Sequence, residues 1–266
     1  MLEALFDRAK CDHRAAFIPY VMAGDPDIAT TEAVLLALTD AGADAIELGI
    51  PYGDPLADGP TIAAAAQRAL AHGVTIADVL AITRRHKENA GAPIVLFSYF
   101  NPILQYGVER FAYDAAGAGA SAVIVPDLSL EETETLSSTL AEHGVDMPLL
   151  IAPSTTRERA RRIVDRSTGF VYVVGRLGVT GADSRVSTQG VRAQVAALRG
   201  MTERPLAVGF GVSSSAHVQE LAPLVDGIIV GSALIDAFAG TSAGEAVARV
   251  RAFAAPLIAA TQYGER

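Results

Sequence analysis

Two carboxylates eleven positions apart, Glu47 and Asp58, are the residues of this chain best placed by type and spacing to move protons. Glu47 lies in the short apolar run Ala45-Ile46-Glu47-Leu48-Gly49. With period-two alternation, Ile46, Leu48 and Ile50 share one face, and Ala45, Glu47 and Gly49 share the other. The bulky face suits packing against helices, so Glu47 points away from them, between two small neighbours. Pro51, Pro55 and Pro60 then stiffen a loop that carries Asp54 and Asp58. Two plainer readings stay open. Glu47 also fits a solvated strand end or a structural ion pair, and Asp58 fits a turn former ahead of Gly59-Pro60.

Other chemistries are poorly served. Lys10 and Lys87 are the only lysines, and neither lies on or just after a strand-like run, which argues against a Schiff-base mechanism. His13, His72, His86, His143 and His217 are scattered through helical and turn stretches, with no metal-ligand spacing, so no metal site is expected. Cys11, the single cysteine, precedes the first strand and reads as an inert small residue. Gly-rich turns are more informative. Gly178-Val179-Thr180-Gly181-Ala182 fits a mobile lid. Gly209-Phe210-Gly211-Val212-Ser213 and Gly231-Ser232-Ala233 each end a strand and open a helix, where backbone N–H groups can meet a phosphate.

The elements that must position these residues alternate along the whole chain. Strands are expected at 16–22, 45–49, 94–99, 122–126, 148–152, 170–174, 206–210 and 227–230. Helices are expected at 28–41, 61–71, 76–89, 108–118, 130–142, 156–165, 191–198, 214–221, 233–238 and 243–259, with a helix-like segment at the N-terminus. Eight apolar strands, each followed by a helix, imply a closed (β/α)₈ TIM barrel, an α/β fold read as a single domain over 1–266. An open doubly wound sheet is the alternative. Barrel sites lie at the C-terminal strand ends, where Glu47, Asp58 and the glycine turns all fall.

A net charge of −9 argues against nucleic acid and anionic membranes as partners. Half the residues are hydrophobic, yet no apolar run is long enough to span a bilayer. The lone cysteine and the lack of a signal-peptide core lead us to expect a cytoplasmic protein.

The run from Ile46 to Thr61 closely resembles the signature of the tryptophan synthase α family. The likeness extends through Phe17-Ile18-Pro19-Tyr20 with Gly24-Asp25-Pro26, Tyr99-Phe100-Asn101-Pro102, Pro126-Asp127-Leu128, Ile151-Ala152-Pro153, Arg176 to Ala182, Gly209 to Ser213 and Gly231 to Ala233. It weakens after about residue 240. That resemblance implies a retro-aldol cleavage of indole-3-glycerol phosphate to indole and glyceraldehyde 3-phosphate. It assigns Glu47 as the acid/base and Asp58 to the indole N–H. Tyr172 matches a tyrosine beside the glutamate, though core filler is an equal reading, and Thr180 matches a lid residue that meets Asp58 on closure. Gly181, Gly211, Gly231 and Ser232 match phosphate contacts. Tyr20, Phe97, Ile124, Ile151 and Phe210 match an apolar indole pocket. Pro51, Asp54 and Asn101 match the surface that docks a β subunit in an α₂β₂ assembly. The resemblance implies no cofactor in this chain, with pyridoxal phosphate held by that partner. Gly53, Met22 and Gly175 depart from the residues usual there. A stand-alone indole-releasing lyase and another phosphate-binding barrel enzyme, such as an isomerase, remain open.

Overall fold

A computed structural model describes residues 2–175, 188–209 and 211–264. Its first element is α1 (Leu2–Cys11), followed by β1 (Ala16–Met22), α2 (Ile28–Ala41), β2 (Ile46–Gly49), α3 (Pro60–Ala71) and α4 (Ile76–Glu88). Next come β3 (Ile94–Phe97), α5 (Phe100–Tyr106), α6 (Val108–Ala118), β4 (Ala122–Ile124), α7 (Thr133–Glu142), β5 (Leu149–Ile151) and α8 (Arg157–Arg166). The chain continues through β6 (Val171–Val174), α9 (Thr188–Arg199), β7 (Leu206–Gly209), α10 (Ser215–Leu221), β8 (Gly227–Val230), α11 (Ser232–Phe238) and α12 (Ala243–Ala259).

The strands form one parallel sheet in the order β4-β3-β2-β1-β8-β7-β6-β5. Its ends meet through an isolated parallel bridge, Ala122↔Asp146, reinforced by Val123 N–H donating to the Asp146 carbonyl at 2.9 Å. The sheet is therefore curled into the barrel that eight buried apolar strands require. Every residue of β1, β2, β3 and β8 is buried. The apolar side chains form one contiguous cluster running from Leu2 to Ala260.

Local chemistry sets where the helices begin. Asp27 caps α2 by accepting from Thr30 N–H at 2.7 Å, and Gly42 ends it in the left-handed region at φ 102°. Pro60 occupies the first turn of α3 after Gly59, which fixes where the Asp58 loop stops. At the N-terminal end of the barrel, α1 buries Leu2, Leu5 and Phe6, and the Phe6 ring lies 5.6 Å from that of Phe170. Asp44 and Asp226 close the same end: Asp44 takes Phe17 N–H at 2.9 Å and a paired bond from Arg14, and Asp226 takes Leu206 N–H at 2.7 Å.

Four boundaries differ from expectation by two residues or more, among them the helix expected from Val191, which starts at Thr188. The third strand stops at Phe97 rather than Tyr99, the fourth at Ile124, and the helix expected from Leu130 starts at Thr133. Helix α5 was not expected at all; Pro102 falls in its first turn, where a missing N–H costs nothing.

Candidate active site

Glu47 sits on the lumen side of β2, only 2 % exposed, with Tyr20 of β1 and Val95 of β3 as its register partners. The alternation read from the sequence carries through. Gly49, two residues on, faces the same way, and a Cβ built on it would lie 2.1 Å from the Tyr20 hydroxyl. Among the described residues Glu47 Oε1 has no hydrogen-bond partner. Burial pushes the Glu47 pKa up to about 8, and the nearby Asp58 adds to the shift. A structural ion pair would have lowered it. The carboxyl is a stored proton.

Asp58 lies half-buried in the loop between β2 and α3. Burial raises its pKa to about 6, against a hydrogen bond from Tyr99 that favours the ionised form. At neutral pH the two carboxyls therefore separate into a protonated acid and an anion, the division that acid–base sites achieve through environment.

Tyr99 went unnoticed as a site residue in the sequence. It is 2 % exposed, accepts Ala57 N–H at 2.9 Å through its hydroxyl, and lowers the Asp58 pKa from beside it. Its ring lies 5.4 Å from Tyr52, whose hydroxyl accepts from Asn101 Nδ2 at 3.4 Å. A tyrosine closing an apolar strand reads as core, and a separation of forty-two positions from Ala57 hides the contact. The signals for it were its place at the end of the expected third strand and its membership of the Tyr99-Phe100-Asn101-Pro102 run.

The remaining expected residues divide by face. Register puts Tyr172 of β6 beside Ala207, and its hydroxyl lies over Gly209, where a Cβ would be 2.1 Å away. Phe97 pairs with Gly49 and with Ile124, so both join the lumen wall, and Phe97 meets Tyr20 edge-on at 5.8 Å. Ile151 does not share that wall. It pairs with Val173, whereas Leu150 pairs with Tyr172, so the pocket position expected for Ile151 belongs to its neighbour Leu150. Burial of Tyr172 and the charges of Glu47 and Asp58 raise its pKa well above the ordinary tyrosine value, so its hydroxyl keeps its proton.

Gly211, at φ +103°, follows β7 in a conformation that side chains rarely adopt. Gly231 is the N-cap of α11, and Ser232 opens that helix after β8. Both turns are thus at the C-terminal rim, where helix N-termini attract anions. Thr180, Gly181 and Phe210 lie outside the described residues. Asp54 and Asn101 are exposed on the loops after β2 and β3, but Pro51 is buried, because it continues directly from a strand end still bonded to β3 through Ile50 N–H to Phe97 carbonyl at 2.8 Å. It has no surface to offer a partner in this conformation. Among the described residues, no group of three or more His, Cys, Asp or Glu is arranged to hold a metal ion, and no helix is long and apolar enough to cross a membrane.

Residues 6–262 match the family model described as tryptophan synthase alpha chain. A tryptophan synthase alpha chain from Prochlorococcus marinus is 45% identical over 262 residues, covering 98% of both chains. One from Gloeobacter violaceus is 48% identical, over 93% of this chain and 90% of the relative. Among solved structures, a chain of Mycobacterium tuberculosis tryptophan synthase superposes with a TM-score of 0.90 at 39% identity, covering 99% of this chain and 98% of that one. The tryptophan synthase subunit alpha of Legionella pneumophila gives a TM-score of 0.88 at 33% identity, over 98% and 97% of the two chains.

Proposed function

The chain belongs to the tryptophan synthase alpha chain family, and on that premise we propose which of its residues carry the family's reaction. The reaction is the cleavage of indole-3-glycerol phosphate to indole and glyceraldehyde 3-phosphate, a step of tryptophan biosynthesis, with indole passing to a β subunit. The observation that carries the assignment is the buried lumen carboxyl of Glu47, whose Oε1 has no partner among the described residues, with Asp58 on the loop just after it; burial raises their pKa values to about 8 and about 6.

The carbon–carbon bond cannot break until the indole ring becomes an electron sink. Glu47, protonated at rest, delivers its proton to C3 of the ring, and the ring becomes a cationic indolenine. Asp58, ionised and oriented by Tyr99, accepts the ring N–H and stabilises that cation. The Glu47 carboxylate then takes the proton from the glycerol hydroxyl next to C3. A carbonyl forms there, the bond to C3 breaks, its electron pair returns to the ring, and indole leaves. Proton transfer of this kind contributes about 10²–10⁴-fold to rate. Gly211, Gly231 and Ser232, with Gly181, take the phosphate; Thr180 closes on Asp58; Tyr20, Phe97, Leu150 and Ile124 wall the indole. Side chains carry every proton in this scheme, and pyridoxal phosphate belongs to the partner. We place the assembly in the cytoplasm.

Glu47→Gln is the decisive variant, since it keeps size but cannot transfer a proton. Indole release falls by about 10³-fold or more while substrate affinity stays within a few-fold, measured by turnover and by calorimetry. Retention of more than about a tenth of turnover would remove Glu47 from the acid–base role.

A further inference from the structure

The Tyr20 side chain lies along the lumen wall, from β8 towards β2, between the two features that must hold the ends of the substrate's polar chain. Its root lies against the phosphate turn: a Cβ on Gly231 would sit 3.5 Å from Tyr20 Cβ and 3.8 Å from Cδ1. Its tip lies over Gly49, with the hydroxyl filling the place a side chain would take there. Glu47 is its register partner on β2. Between phosphate at Gly231 and the proton-transfer group at Glu47 runs the three-carbon chain that carries the substrate's hydroxyls.

We propose that Tyr20 is a specificity-determining residue whose hydroxyl hydrogen-bonds the hydroxyl-bearing chain of the substrate beside Glu47. The proposal rests on the reaction assigned above. It gives a polar role to a residue that the sequence placed in an apolar pocket. Phe97 packs edge-on against the ring at 5.8 Å, and Gly49, having no side chain, leaves room for the hydroxyl at that point on β2. Burial and the negative charges of Asp58 and Glu47 keep the phenol protonated, so it serves as a hydrogen-bond group and not as a base. Tyr20 is 4 % exposed, so bulk water does not compete freely for that hydroxyl. Glu47 Oε1, without a partner among the described residues, is the second polar atom facing the same chain.

Tyr20→Phe tests this with two ligands, indole-3-glycerol phosphate and 3-(indol-3-yl)propyl phosphate, which keeps the ring and phosphate but lacks the hydroxyls. The variant lowers kcat/KM for the substrate about 3- to 10-fold, the worth of one neutral hydrogen bond. Its inhibition constant for the propyl phosphate stays within about twofold of the parent chain, which also establishes that the variant folds with its ring and phosphate sites intact. Equal weakening of both ligands would reduce Tyr20 to a packing residue, and no change in either would leave its hydroxyl without a role; both overturn the proposal. Failure of the parent chain to release indole from indole-3-glycerol phosphate would instead overturn the reaction assigned to the site.

Discussion

The two carboxyls define a pH window, and its limits follow from the sign of each shift. Asp58 must be ionised to hold the indole N–H, so kcat/KM rises as pH climbs through about 6. Glu47 must carry its proton, so kcat/KM falls as pH climbs through about 8. The profile of kcat/KM for the chain alone is therefore a bell between these values, and a profile with no alkaline limb would contradict the assignment of Glu47. The same shift affects stability. A carboxyl whose pKa is higher folded than unfolded binds more protons in the folded state, so it weakens the fold as pH rises through the interval between the two values. Glu47→Gln therefore gains thermal stability over the parent chain at about pH 9, by several degrees, and gains almost none at about pH 4, where both forms are neutral. Equal melting temperatures at high pH would mean that Glu47 ionises in place without cost.

At the scale of elements, Asp58 depends on a neighbour from another strand end. Tyr99 holds the loop by accepting Ala57 N–H at 2.9 Å, and its hydroxyl beside Asp58 favours the ionised carboxylate. Tyr99→Phe removes the donor that favours ionised Asp58 and raises the acid limb of the pH profile by about one unit, toward the alkaline limb, with a matching loss at pH 6.5 that recovers near pH 7.5. An unmoved acid limb would show that Tyr99 only packs. This element also marks how far the sequence could be read. Glu47 was legible because Ile46, Leu48 and Ile50 alternate with small residues, and that alternation fixes its face. Leu149-Leu150-Ile151 carries no alternation, so its lumen-facing residue could not be chosen without the pairing to β6. Helix α5 was hidden by Pro102, which reads as a breaker unless it sits in the first turn. Tyr99 was hidden because a tyrosine ending an apolar strand reads as core and its contact lies forty-two positions away.

The eight parallel strands put the proposed chemistry at one rim, where the loops that carry Asp54 and Asn101 also stand. Leu56 is 72 % exposed after β2 and Leu104 is 53 % exposed in α5 after β3, an unusual outlay of apolar side chains on a chain of net charge −9. Asp54 and Asn101 stand beside them on the same two connections. From Asn101 a continuous set of contacts leads inward: its amide donates to the Tyr52 hydroxyl, the Tyr52 ring packs on Tyr99, and Tyr99 holds Ala57 and Asp58. We propose that a β subunit docks across these loops and restrains Asp58 without touching substrate, by favouring the arrangement in which it meets the indole N–H. The product gives this coupling a use, because indole is uncharged and crosses membranes, so its release is best timed to the presence of a partner that consumes it. Coupling of about 1–3 kcal/mol corresponds to roughly 5–150-fold stimulation of indole-3-glycerol phosphate cleavage by the β subunit. Asp54→Ala, on the exposed part of the loop and away from the lumen, lowers the stimulated rate more than the basal rate. Assays of the variant with and without a cognate β subunit, alongside sedimentation of the mixture, measure both terms. Equal losses with and without the partner would place Asp54 in the basal machinery, and no complex in sedimentation would remove the rim as the docking surface.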